Sequence, residues 1–143
     1  MKLAPQLNNY IGVELILASR AHRLWAENAL QKLGLRAGQE MILLQLLAEE
    51  GISQTSIAER LSLTQPTICV MLRRMEQCGM VERQTDAEDA RASKVYLTKK
   101  GKALEKEVIK TWTDLEQQTL SGLNPQEETE LRRLLAKIRT NLE

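Results

Sequence analysis

The chain has 143 residues, with 20 lysines and arginines against 19 acids and a formal net charge of +1. That length accommodates one domain with extensions and a real core, so metal or disulfide staples are not required. The net charge points to no partner, but residues 53–102 hold 9 basic and 6 acidic residues, a modest basic bias in mid-chain.

From residue 9 to residue 33 the pattern predicts one long helix. Ile11, Leu15, Ala18, His22, Trp25, Ala29 and Leu33 recur at spacings of three and four. Ile16, Leu17 and Leu24 widen that stripe, which predicts burial on more than one side. Gly34 is a natural stop. A second helix is expected over residues 37–49, closed by Gly51. Two short helices follow. Ser53 can cap the first, over 54–61, and Thr64 the second, which runs to Cys78 with Pro66 tolerated in its first turn. Ile57, Ala58 and Leu61 face inward from one, and Ile68, Met71, Leu72 and Met75 from the other. Only Ser62 and Leu63 separate Leu61 from the cap at Thr64, which is the helix-turn-helix pattern.

Residues 80–85 read as a strand, 86–92 as a polar loop and 93–97 as a returning strand. A hairpin placed directly after a helix-turn-helix makes a winged helix. Thr98 can cap a helix to about residue 120, with Leu104, Val108, Trp112, Leu115 and Thr119 on one stripe. Asn124-Pro125 with Glu127 and Glu128 is a strong helix start, and the last helix presents Leu131, Leu134, Leu135, Ile138 and Leu142. The expected fold is therefore mainly α with a small β-hairpin wing. A winged helix-turn-helix at 37–98 is flanked by helices at 1–36 and 99–143. These terminal helices carry more apolar surface than a small wing domain can cover, and pairing with a second copy is the simplest way to bury it. The start has no long apolar region and no apolar run long enough to span a bilayer, so a soluble cytoplasmic protein with no membrane partner is expected. The two cysteines are expected to be reduced.

The order of elements, together with LGLRAGQEMILLQLLAEEG, SQTSIAERLSLTQPTICVMLRRMEQCGMVER, DAEDAR and VYLTKKGKAL, resembles the MarR family of transcription regulators. The resemblance spans nearly the whole chain and is densest over residues 33–104. It implies a homodimer on a pseudo-palindromic double-stranded DNA operator, with the recognition helix in the major groove and the wing in the minor groove. It also implies a repressor released by a small-molecule ligand or an oxidant, with a ligand pocket that His22 and Trp25 could line. The sequence departs from the family pattern at three places. Ala90 replaces the first of two adjacent wing arginines while Arg91 keeps the second. Cys69 and Val70 stand where a Thr or Ser and then an Arg or Lys are common. Arg36 replaces a small polar cap before the second helix.

Thr64, Gln65 and Thr67 lie in the first turn of the recognition helix, where such residues meet base edges and phosphates. Gln can pair with adenine and a Thr methyl can touch thymine; for Thr64 the alternative is a cap alone. Cys69 and Val70 share the exposed side and could read thymine methyls, or Cys69 could sense oxidants with Arg73 assisting; otherwise it is an unreactive small residue. A disulfide to Cys78, nine residues away on the same helix, is excluded by its length. Arg73 and Arg74 are placed for phosphate contact, against a solvated or intramolecular salt-bridging face as the alternative, with Lys94, Lys99 and Lys100 as weaker candidates. Asp89, two residues before Arg91, can hold the guanidinium for a narrow minor groove; the alternative is a plain solvated turn. His22 has no ligand spacing around it, so no metal is expected, and a hydrogen-bonded core or pocket histidine is the reading. No nucleophile–base motif, acid pair or Gly-rich phosphate loop supports an enzyme or a cofactor. The competing class is a winged-helix protein-interaction module without DNA binding, suggested by the near-neutral charge and Val70.

Overall fold

The computed structural model describes residues 4–85 and 87–143. Asp86, the first residue of the expected wing loop, residues 1–3 and the side chain of Ala90 lie outside that description. After a 3-10 turn at Pro5–Leu7 come helices α1 (Ile11–Gln31) and α2 (Gln39–Ala48), strand β1 (Ile52–Ser53), and helices α3 (Gln54–Arg60) and α4 (Gln65–Gln77). Strands β2 (Val81–Gln84) and β3 (Lys94–Leu97) follow, then α5 (Lys99–Ala103), α6 (Glu105–Leu120) and α7 (Pro125–Leu142).

Local chemistry explains most boundaries. Ser53, Thr64, Thr98 and Asn124 each accept an N–H from the first turn of the helix they start, and Asn124 with Glu127 completes a reciprocal capping box. The start of α2 differs. Its cap is Gly38, at φ 92, and two side chains reach back over it: Gln39 Oε1 accepts the Arg36 N–H at 2.9 Å and Glu40 Oε2 accepts the Gly38 N–H at 2.7 Å. Side chains from the first turn thus hold the chain that enters the helix, while its own first-turn N–H groups receive no side-chain cap.

Two boundaries correct the sequence reading. The wing is a three-stranded antiparallel sheet in the order β1-β3-β2, not a lone hairpin, because Ile52 and Ser53 pair with Val95 and Lys94. A two-residue strand has no periodicity to read. The helix expected from 98 to 120 is also divided at Leu104, whose N–H bonds the Gly101 carbonyl three residues back. Gly101 is buried in α5 because the Met80 carbonyl presses against it.

The core lies mainly in the winged domain, with α1 and α6 contributing at its edge. Ile42, Leu43, Leu46, Ile57, Ile68, Leu72, Met75, Val95 and Val108 are all fully buried. Those from α3 and α4 are the residues the helical period turned inward. α1 packs along α6, yet most of its stripe stays open: Ile11 is 74%, Ile16 58% and Leu24 56% exposed. α7 has no buried residue at all.

Glu40 is a carboxylate inside this core. Burial pushes its carboxyl above the ordinary 4.5, against the downward pull of the Glu40 and Gly38 N–H groups. A raised folded value favours the neutral form, so its stabilising contribution is complete below 4.5 and is lost as the pH rises through the folded value. Glu40→Gln keeps an oxygen for the Gly38 N–H and removes that loss. Its melting temperature should exceed that of the parent at pH 8, and the gap should close as the pH falls towards 4.5; a gap independent of pH would contradict this account.

Candidate nucleic-acid interface

The N-terminal turn of α4 projects from the winged domain. Thr64 and Thr67 are exposed, and their hydroxyls lie 2.8 Å apart. Thr64 Oγ1 also accepts the Thr67 N–H at 3.4 Å, so it caps the helix while its methyl remains at the surface. Val70 is 42% exposed and Arg73 and Arg74 are exposed on the same helix. Among the described residues neither arginine enters an ion pair, which argues against the salt-bridging alternative. Cys69 is half-buried, Cys78 is exposed, and both are free thiols.

Gln65 is half-buried and partly committed to the protein. Its Oε1 accepts from Gln54 Nε2 at 3.5 Å. Gln54, only 3% exposed, accepts with its own Oε1 from Arg83 Nη1 at 3.1 Å. Arg83 Nε and Nη2 both donate to Glu76 Oε2, at 2.9 and 2.6 Å. That carboxylate raises the Arg83 pKa, burial opposes it, and the Cys69 side chain adds a smaller rise. One arginine therefore ties β2 to the last turn of α4 and to the start of α3. Neither Arg83, Glu76 nor Gln54 was singled out in the sequence. Their separations are long and irregular, so only an unusual charge on a short half-buried strand could have drawn attention to Arg83.

The wing tip is organised differently from expectation. Asp89 Oδ1 stands 3.9 Å from Arg91 Nε, an ion pair longer than a hydrogen bond. The same oxygen accepts the Arg91 backbone N–H at 2.9 Å, and the Asp89 carbonyl accepts the Ala92 N–H at 3.1 Å. Asp89 thus shapes the turn beneath Arg91 and leaves the guanidinium, on a side chain 72% exposed, pointing outward. The base of the tip is fastened to α3: Thr55 Oγ1 donates to the Arg91 carbonyl at 3.1 Å, and the Gln54 N–H donates to the Ser93 carbonyl at 3.0 Å. Lys94 and Lys99 are exposed beside the wing. Lys100 is spent elsewhere, donating to the Cys78 carbonyl at 2.7 Å at the end of α4.

His22 and Trp25 do not share a pocket. His22 is exposed rather than in the core, and lines a cleft of about 540 Å³ with Glu116, Thr119, Leu131, Arg132 and Arg139. Trp25 lines a separate groove of about 310 Å³ with Lys32, Glu107, Lys110 and Asp114. The two share a face of α1 one turn apart, so His22 meets the end of α6 and α7 while Trp25 meets earlier turns of α6. Among the described residues no helix is long and apolar enough to cross a membrane.

A family model described as MarR family matches residues 35–93. The organic hydroperoxide resistance transcriptional regulator of Bacillus subtilis (strain 168) is 30% identical over 138 residues, covering 96% of this chain and 90% of that protein. Among solved structures, the S. aureus MepR–DNA complex has a TM-score of 0.82 at 26% identity, covering 92% of this chain and 97% of that one. A MarR mutant from E. coli complexed with operator DNA has a TM-score of 0.81 at 25% identity, with 94% and 99% covered. The transcriptional regulator SlyA has a TM-score of 0.79 at 28% identity, with 94% of each chain covered.

Proposed function

The chain belongs to the MarR family of transcriptional regulators, and from that membership we propose that it is a cytoplasmic, homodimeric repressor on a pseudo-palindromic DNA operator, without enzymatic activity. α4 enters the major groove and the wing reaches the adjacent minor groove. The carrying observation is the face formed by Thr64, Thr67, Val70, Arg73, Arg74 and the outward Arg91, in which neither α4 arginine enters an ion pair among the described residues. Two relatives of this fold are complexed with DNA. Val70 supplies an apolar surface suited to thymine methyls. Helices 1–36 and 99–143 form the dimerisation region, supported by the open apolar faces of α1 and α7. A small-molecule effector releases the DNA, with the cleft beside His22 as its candidate seat. Redox release through Cys69 is a second reading, favoured by the free and only half-buried thiol it carries on the recognition helix.

Binding to a genomic fragment library should show a steep salt dependence and a two-fold symmetric footprint, and sedimentation should give twice the 16.2 kDa chain mass. A monomer with no duplex affinity at low salt would sink the proposal. Arg91→Ala should weaken binding about tenfold across sequences and reduce the salt slope by about 1. Asp89→Ala should also weaken it, despite removing a negative charge, because the turn beneath Arg91 loosens. Tighter binding by that variant would show that Asp89 only repels phosphate. Peroxide should release DNA from the parent and not from Cys69→Ser if the second reading holds.

A further inference from the structure

A side-chain amide is nearly symmetric in shape, so packing alone does not decide which end is oxygen and which is NH2. A neighbour that can only donate does decide it. The Arg83 guanidinium has no acceptor, and Glu76 holds it in place through Nε and Nη2. Its Nη1 donates to Gln54, so Gln54 must turn its oxygen towards β2. The other end of that amide, Nε2, then faces α4 and donates to Gln65 Oε1. Among the described residues no buried side-chain nitrogen or oxygen lacks a partner, so the arrangement is internally complete. The oxygen of Gln65 is the end turned inward.

We infer that Arg83, acting through Gln54, sets the polarity of the Gln65 amide, so that residue 65 offers donors to the major groove and selects an acceptor-bearing base, guanine first. Guanine presents N7 and O6 as paired acceptors. An adenine contact needs the amide oxygen beside the amino group, directed at the base. Cytosine presents only an N4 donor there, which the outward NH2 cannot serve. Arg83 and Gln54 are positioning residues and touch no base themselves. The inference rests on the reading that α4 enters the major groove.

The test is selection from a randomised duplex pool, followed by dissociation constants on single-base-pair variants of the selected site. The parent should prefer guanine by about tenfold at one pair in each half-site. Gln65→Ala should abolish the preference at that pair alone. Gln54→Glu places an acceptor-only carboxylate beside Gln65, which should draw the NH2 inward and turn the oxygen out. The preference should then move to an amino-bearing base, cytosine or adenine. Gln54→Met, which offers neither a strong donor nor a strong acceptor, should relax the preference to within about twofold. If Gln54→Glu fails to fold by circular dichroism, Gln54→Met decides. Guanine preference retained in the folded Gln54 variants would overturn the relay while leaving DNA binding intact. So would a parent whose preference at every pair survives Gln65→Ala, or a parent that selects adenine at the Gln65-dependent pair. A parent that binds no duplex at all would overturn the proposed function and this inference with it.

Discussion

Gly101→Ala is expected to lower stability by about 2–3 kcal/mol, the upper part of the overpacking range, and the melting temperature by roughly 10 °C. In an ordinary helix the same change gains up to about 1 kcal/mol, because alanine loses less backbone entropy. Here the sign reverses. A Cβ on Gly101 would stand 2.2 Å from the Met80 carbonyl oxygen and 3.1 Å from Leu97 Cδ2. The oxygen belongs to the backbone and is already engaged, accepting the Thr98 N–H at 3.1 Å. It cannot retreat without disturbing the junction between α4, β2 and β3. Thermal or urea unfolding followed by circular dichroism measures the effect. An unchanged or raised midpoint would show that the α5–Met80 approach is looser than described.

Arg83→Met is the second large effect, expected to cost about 2 kcal/mol of stability and about tenfold in DNA affinity. Removing one member of a buried ion pair typically costs 3–5 kcal/mol. The smaller figure is appropriate because the Arg83 and Glu76 side chains retain 16% and 31% exposure, so water recovers part of the loss. Affinity falls because the tie between β2, α4 and Gln54 is what relates wing to recognition helix. The double variant Arg83→Met with Glu76→Leu separates the two effects. It removes the stranded carboxylate, so most of the stability should return, while the DNA affinity should stay low. A single variant as stable as the parent, or a double variant with full affinity, would contradict this division.

Most of the scaffold was legible because its signals are local. The caps at Ser53, Thr64, Thr98 and Asn124 each act within one helical turn, and all four make the expected hydrogen bond. The inward faces of α3 and α4 follow from the helical period, and Ile57, Ile68, Leu72 and Met75 are fully buried. On α1 and α7 the same period marks apolar faces larger than the winged domain covers. An apolar stripe says that a face requires cover, not whether its own chain supplies it, and here most of the cover is missing.

At the wing, sequence spacing correctly associated Asp89 with Arg91, but not the atoms involved. A carboxylate two residues upstream reaches the backbone N–H more readily than a long flexible guanidinium, and the 2.9 Å and 3.9 Å distances reflect that.

The sequence by itself determined the winged helix-turn-helix order, the limits of α3, α4 and α7, the capping residues and the inward residues of the core. These depend on neighbours three or four positions apart, whose geometry any helix repeats. Only the tertiary structure decided that Lys100 serves the end of α4, that His22 and Trp25 face different hollows, and that Gln65 is joined through Gln54 to Arg83 and Glu76. Gln54 and Arg83 are 29 positions apart, and their encounter depends on how β2 returns beside α3. No spacing rule encodes that encounter, because it is a property of the packed chain.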